Sequence, residues 1–129
     1  MIYERETIIK YRIDRALETL EEAKILSTGN HWNTVVNRLY YACFYIVIAL
    51  LFKNSFRTKS HSGARTTFSN EFIKTGLVKK DLGVLYGNLF NKRQEGDYED
   101  VKIFTKEEIE PLISEAEKFI LEIRALIGQ

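Results

Sequence analysis

The chain has 129 residues, 45% of them hydrophobic and 29% charged, with a net charge of +1. That length holds one core rather than two, so residues 1–129 read as a single domain, and the composition excludes a disordered chain. One cysteine excludes an intrachain disulfide, and Cys43, set in an apolar run, reads as a buried structural thiol in a reducing, cytoplasmic compartment.

The first element is an amphipathic helix over about 4–27. Ile9, Ile13, Ala16, Leu17, Leu20 and Ala23 recur at steps of three and four with charges between them. Gly29 is its natural stop. A second helix over about 32–53, with Asn30 or Asn33 as its cap, is apolar on nearly every face and should be central. Its 14-residue core, Leu39 to Phe52, is shorter than the roughly 20 residues of a membrane span, so no membrane segment is expected. The start MIYERETIIK has no apolar stretch of the signal-peptide kind.

The stretch KNSFRTKS reads as a basic loop. A third helix follows Ser60, over about 61–75, and stops at Gly76. The fourth, over about 78–95, carries Leu82, Leu85, Leu89 and Arg93 on one face. Gly83 and Gly87 weaken it, which suggests that a neighbouring backbone or a ligand comes close there. GDYEDVKIF reads as a loop. Thr105 and Glu108 form a capping box for a fifth helix with Ile109, Leu112, Ile113, Ala116, Ile120, Ile123 and Ile127 as its buried stripe. Pro111 lies late for a first turn and is expected to bend it. The fold class is therefore all-α: an up-down antiparallel bundle of four to five helices.

The charges are uneven. Residues 23–70 contain no acid but six bases: Lys24, Arg38, Lys53, Arg57, Lys59 and Arg65. The last 35 residues contain ten acids and four bases. An acid-free middle points to an anion-facing surface, although a buried helix also carries few acids.

The motifs of nucleotide-binding and hydrolase folds are absent: no GxxxxGK[ST], GxGxxG or GxSxG. One cysteine and two histidines 30 positions apart do not make a zinc site, and neither His31 nor His61 follows a Glu by three positions as a di-metal bundle requires. No metal and no cofactor are expected. Three polar constellations remain. In NRLYY, Asn37 and Tyr41 share a helix face, and Arg38 in an apolar helix needs a partner: a buried network, with the acidic loop at 95–100 a candidate, or a bound phosphate. In KSHSG, His61 opens a helix beside Lys59, where N–H groups favour anions and an imidazole can move protons. In NLFNKRQEGDYED, Arg93 and Asp97 have the spacing of an ion pair, which also suits Arg93 facing phosphate while Asp97 or Tyr98 orients a partner.

Taken in order, NRLYYACFYIVIALL, KSHSGARTTFSNEFIKTGLV and NLFNKRQEGDYED resemble the HEPN superfamily (higher eukaryotes and prokaryotes nucleotide-binding), in its small single-domain form, over about residues 5–125. The resemblance implies a helical bundle that commonly forms a homodimer with a polar cleft between protomers. Many HEPN proteins are metal-independent ribonucleases, often toxins paired with a minimal nucleotidyltransferase. Their hallmark is an Arg, a polar residue, a few more positions and a His, late in the chain. Arg93 matches the arginine. At the histidine's place, after a shorter interval, stands Asp97, a carboxylate at neutral pH. Family toxins modified on a tyrosine carry it two positions past the histidine, whereas Tyr98 directly follows Asp97.

These readings give three expectations. The first is a nucleotide- or RNA-binding HEPN dimer that works with a minimal nucleotidyltransferase, its phosphate site drawn from Asn37, Arg38, Tyr41, Lys59 and Tyr98. The second is a metal-independent ribonuclease acting through Arg93, Asp97 and His61. The third is a non-catalytic helical dimerisation protein.

Overall fold

The helix that is apolar all round sits at the centre. A computed structural model describes residues 2–98 and 102–128, without the side chains of residues 2, 3 and 98. Five helices follow in order: α1 (Ile2–Thr28), α2 (Trp32–Lys53), α3 (His61–Phe68), α4 (Lys80–Tyr98) and α5 (Lys106–Ile127). A π-helical turn, Ser69–Ile73, continues α3. No strand occurs among the described residues, so the all-α class holds. The α2 helix packs against α1, α3, α4 and α5. Its Val35, Leu39, Tyr40, Cys43, Ile46, Val47 and Leu50 are buried.

The stripe read for α1 is also the buried one: Ile9, Ile13, Ala16, Leu20 and Ala23. On α5, Ile109, Ala116, Ile120, Ile123 and Ile127 are buried as expected, and Leu112 and Ile113 are half-buried. By length and composition α2 could cross a membrane, but 61% of its most apolar window is buried inside the protein, as in a core helix. Burial pushes the Cys43 thiol well above its ordinary range, which suits an inert core residue.

Helix ends show where local reading met its limit. Thr105 and Glu108 form both bonds of the capping box, and Ser60 caps α3 by accepting from Gly63 N at 2.9 Å. At the end of α1, Asn30 rather than Gly29 takes the left-handed conformation, with φ of 62°. His31, not an asparagine, sits at the N-cap of α2 and makes no side-chain capping bond. Asn33 is used elsewhere: its Nδ2 donates to Lys102 O and its Oδ1 accepts from Phe104 N, both at 2.9 Å. The expected helix over 61–75 is α3 plus the π-turn, closed by Gly76 at φ 82°. The α5 helix runs unbroken through Pro111.

The expected loop from Gly96 is corrected in its first three residues, since α4 continues to Tyr98. Two packing relations explain the extension. Asp97 reaches back one turn to Arg93, and Gly96 leaves room for Phe104, whose ring would lie 3.2 Å from a Cβ there. Asn33, Gly96 and Phe104 thus fasten the start of α2 to the end of α4. Asn33→Ala removes two bonds from this fastening and should lower stability by about 1–2 kcal/mol. A thermal melt checks this, and an unchanged midpoint would leave Phe104 packing as the whole fastening.

Candidate functional site

The α4 helix carries Arg93 against the polar half of α2. Arg93 is 9% exposed, with its guanidinium carbon 4.8 Å from the Tyr40 ring centroid and 5.7 Å from that of Tyr41. Faces of two aromatic rings are a favourable seat for a guanidinium. They do not satisfy its donors. Nη1 donates to Asp97 Oδ2 at 3.3 Å, and the buried Nε has no hydrogen-bond partner among the described residues. An orphaned buried donor costs about 1–3 kcal/mol. The Asp97 side chain is 38% exposed, so it offers a weak, solvent-screened pair.

His61 arrives from α3 on the same aromatic group. Its ring stacks on Phe44 with centroids 4.3 Å apart and meets the edge of Tyr41 at 5.6 Å. Its Nδ1 is 2.8 Å from the Tyr40 hydroxyl. Burial holds the imidazole below the ordinary histidine range, and the Arg93 charge lowers it further. At neutral pH it is therefore uncharged. Burial pushes the Tyr40 hydroxyl up to about 12, with the Tyr86 hydroxyl and Arg93 opposing. Tyr40 thus remains a phenol that engages Nδ1, while Nε2 makes no bond among the described residues. When Nδ1 carries the proton, Nε2 is free to accept one.

Arg38 is the second cation against Tyr41, its guanidinium carbon 5.4 Å from the Tyr41 centroid. Asn37 Oδ1 accepts from Arg38 Nε at 3.1 Å and from Nη2 at 2.7 Å. The carboxylate partner of Arg38 is Glu22 of α1, at 3.3 Å, rather than an acid of the 95–100 segment. Asn37, Arg38, Tyr41, His61, Arg93 and Asp97, drawn from three helices, therefore lie in one connected cluster. Lys59 is exposed and, with His61, Phe44, Ile48, Phe52, Arg12 and Arg57, lines a groove of about 630 Å³ that adjoins the cluster at His61. The Tyr98 side chain lies outside the described residues.

The sequence placed Tyr40 in the NRLYY constellation but assigned it no role of its own, although it joins His61 to Arg93. The alternation of NRLYY put one tyrosine inward, and an inward phenol in an apolar helix requires a polar partner; that was the available signal. Glu22 gave none, because its contact with Arg38 depends on how α1 lies on α2. No cluster of His, Cys, Asp and Glu able to hold a metal ion occurs among the described residues.

Comparison with known proteins identifies the family. The family model described as HEPN domain matches residues 9–126. A UPF0332 protein of Thermotoga maritima is 42% identical over 96% of this chain and 94% of its own length. Two Methanocaldococcus jannaschii proteins named "Putative toxin", MJ0142 and MJ0605, are each 34% identical, over 92% and 94% of this chain and 79% and 90% of their own lengths. A match over nearly the whole chain, on a helical bundle that sets an arginine and a histidine against one pair of tyrosines, places this protein in the HEPN domain family.

Proposed function

We propose that this chain is the toxin-side member of a HEPN system and binds the phosphate of RNA or a nucleotide at the Arg93 cluster. The observation that carries this reading is the state of Arg93: nine-tenths buried, seated on two tyrosines and short of hydrogen-bond acceptors. A phosphate oxygen supplies what the site lacks, and a fork of N–H donors suits it. Arg38 and Asn37 flank the same tyrosine, and Tyr41, half-buried, presents a ring on which a base can stack. The names of the two archaeal relatives support the toxin role. The working form would be a cytoplasmic homodimer, with a minimal nucleotidyltransferase as its partner.

His61 favours a second reading, metal-independent RNA cleavage. A neutral imidazole whose Nδ1–H donates to the Tyr40 oxygen can take the proton of a ribose 2′-OH at Nε2. The 2′-oxygen then bonds to phosphorus, the P–O5′ bond breaks, and the 5′-oxygen takes its proton from solvent. Arg93 would stabilise the charge that develops on phosphate. In this scheme His61, reached through space, supplies the imidazole that Asp97 does not.

The deciding experiment measures RNA binding and cleavage in EDTA for the native protein, Arg93→Ala and His61→Ala. On the binding reading, Arg93→Ala weakens RNA affinity at least about tenfold while His61→Ala binds within a few-fold of native. Cleavage lost in both variants establishes the second reading. Absence of RNA and nucleotide binding by the native protein would sink both and leave a helical dimerisation protein.

The pH dependence follows from His61. Its folded pKa is depressed, so the neutral form is present at pH 7 and is lost only as pH falls through that lowered value. Any cleavage should therefore be level above the ordinary histidine range and decline on acidification. Arg93→Gln removes a positive charge and should raise the His61 pKa toward its usual value. Imidazole NMR titration reads this directly, and a pKa that stays put would mean that Arg93 and His61 do not share a site.

The dimer should use the half-buried row Tyr41, Phe44, Tyr45, Ile48 and Phe52 on α2, beside Ile8 of α1. Sedimentation should show a native dimer, and Ile48→Glu should yield monomers with an unchanged helical spectrum. A native monomer at high concentration would contradict this.

A further inference from the structure

The end of α3, the π-turn and α4 line a second groove, of about 360 Å³, that does not include Arg93. Arg65 lines it, with its guanidinium carbon 4.8 Å from the Phe90 ring centroid. Phe90 in turn meets Tyr40 edge-on at 5.9 Å. Arg38 and Arg93 each have a carboxylate partner, but Arg65 has none among the described residues. Its one hydrogen bond is a long one, Nη1 to Asn91 Oδ1 at 3.4 Å.

The floor of the groove is built for this arginine. A Cβ at Gly87 would lie 2.8 Å from Arg65 Nη2, and one at Gly83 would lie 3.2 Å from Ile73 of the π-turn. Two glycines inside one helix weaken it, and here they let Arg65 and the π-turn lie against α4. The remaining polar lining is Lys80, Ser69, Asn88 and Asn91, with no carboxylate. A shallower hollow of about 400 Å³ shares Arg65 and Ser69 and continues along Ser62, Thr66, Asn70 and Lys74, again without a carboxylate. Glu71 and Asp81 belong to the same elements but line neither hollow. Gly87 and Arg93 are six residues apart on α4, roughly 9 Å of helix rise.

We propose that this groove is a second phosphate subsite, in which Arg65, flanked by Lys80 and Asn91, holds a backbone phosphate of the same single-stranded RNA that places another phosphate at Arg93. The proposal rests on the RNA reading above. An open track lined by cations and amides, with no acid to repel a polyanion, suits a strand better than a single nucleotide. Arg65 and Arg93, seated on the contacting rings of Phe90 and Tyr40, would grip the strand at two points.

The test is anisotropy titration of a short labelled single-stranded RNA, and separately of AMP and ATP, with full-length native protein, Arg65→Ala, Gly87→Ala and Arg93→Ala. Arg65→Ala should weaken RNA binding roughly tenfold and reduce the salt slope by about one. Gly87→Ala should displace Arg65 and weaken RNA binding several-fold, with an unchanged or higher melting temperature, because alanine suits a helix interior better. In Arg93→Ala protein, the Arg65 Nε–Hε NMR signal should still shift when RNA is added. If Arg65→Ala and Gly87→Ala bind RNA like the native protein while Arg93→Ala does not, the subsite is overturned and the Arg93 reading stands. If Arg65→Ala weakens AMP or ATP binding and leaves RNA unaffected, the groove takes a single nucleotide and the RNA subsite is overturned. If the native protein binds no RNA, this proposal falls together with the reading on which it rests.

Discussion

The apolar surface of α2 is the constraint on which the rest of the molecule depends. A helix with nearly every face apolar loses least free energy when neighbours surround it, and α1, α4, α5 and α3 do so. The polar residues of α2 are then confined to the few places that its neighbours leave uncovered. Asn37, Arg38 and Tyr41 occupy such a place, facing the edge between α1 and α4. The candidate site is therefore a gap in the packing around one helix, and its position follows from which neighbours α2 has.

Within that gap, aromatic rings do the work that carboxylates do in an ordinary ion-pair network. Arg38, Arg93 and His61 all lie against Tyr41, and Tyr40 contacts both Arg93 and His61. A ring face attracts a cation without neutralising it, so the positive charge remains available to an incoming anion. Acids are present but peripheral. Glu22 and Asp97 are partly exposed, at 45% and 38%, where water screens them. The two guanidiniums are thus held against rings with their carboxylate partners at the solvent edge, and Arg93 Nε is left without an acceptor among the described residues. One electrostatic consequence appears in His61, which burial and Arg93 together keep neutral.

Arg65 repeats the arrangement one step away. It too lies on a ring, that of Phe90, and it makes even less use of acceptors. The glycines of α4 connect local sequence to this packing. Gly87 admits Arg65, Gly83 admits Ile73 of the π-turn, and Gly96 admits Phe104. Each gives up helix propensity for a close approach by a neighbouring element. Of the bases in the acid-free middle of the sequence, Arg65 reaches these grooves, where Lys74 and Lys80 from the following segment join it.

The sequence by itself determined the helices and their buried faces. Spacings of three and four in α1 and α5 specify which side faces the core, the capping box at Thr105 is complete within four residues, and the all-round apolar character of α2 specifies its central place. It also marked Asn37, Arg38, Tyr41, His61, Arg93 and Asp97 as residues to watch. Only the tertiary structure decided which of them meet. Asn33 looked like a cap and instead ties down the segment before Phe104, since that bond links residues about 70 positions apart. Gly96 looked like a loop and is helical, because Asp97 and Phe104 stabilise the last turn. Lys59 lines a groove together with Arg12, Arg57 and His61, while Tyr40, one more core aromatic by pattern, connects His61 to Arg93. Helix-forming signals act within a few residues, so they are legible along the chain. The contacts that make a site act between helices, and their geometry is fixed only when the helices pack.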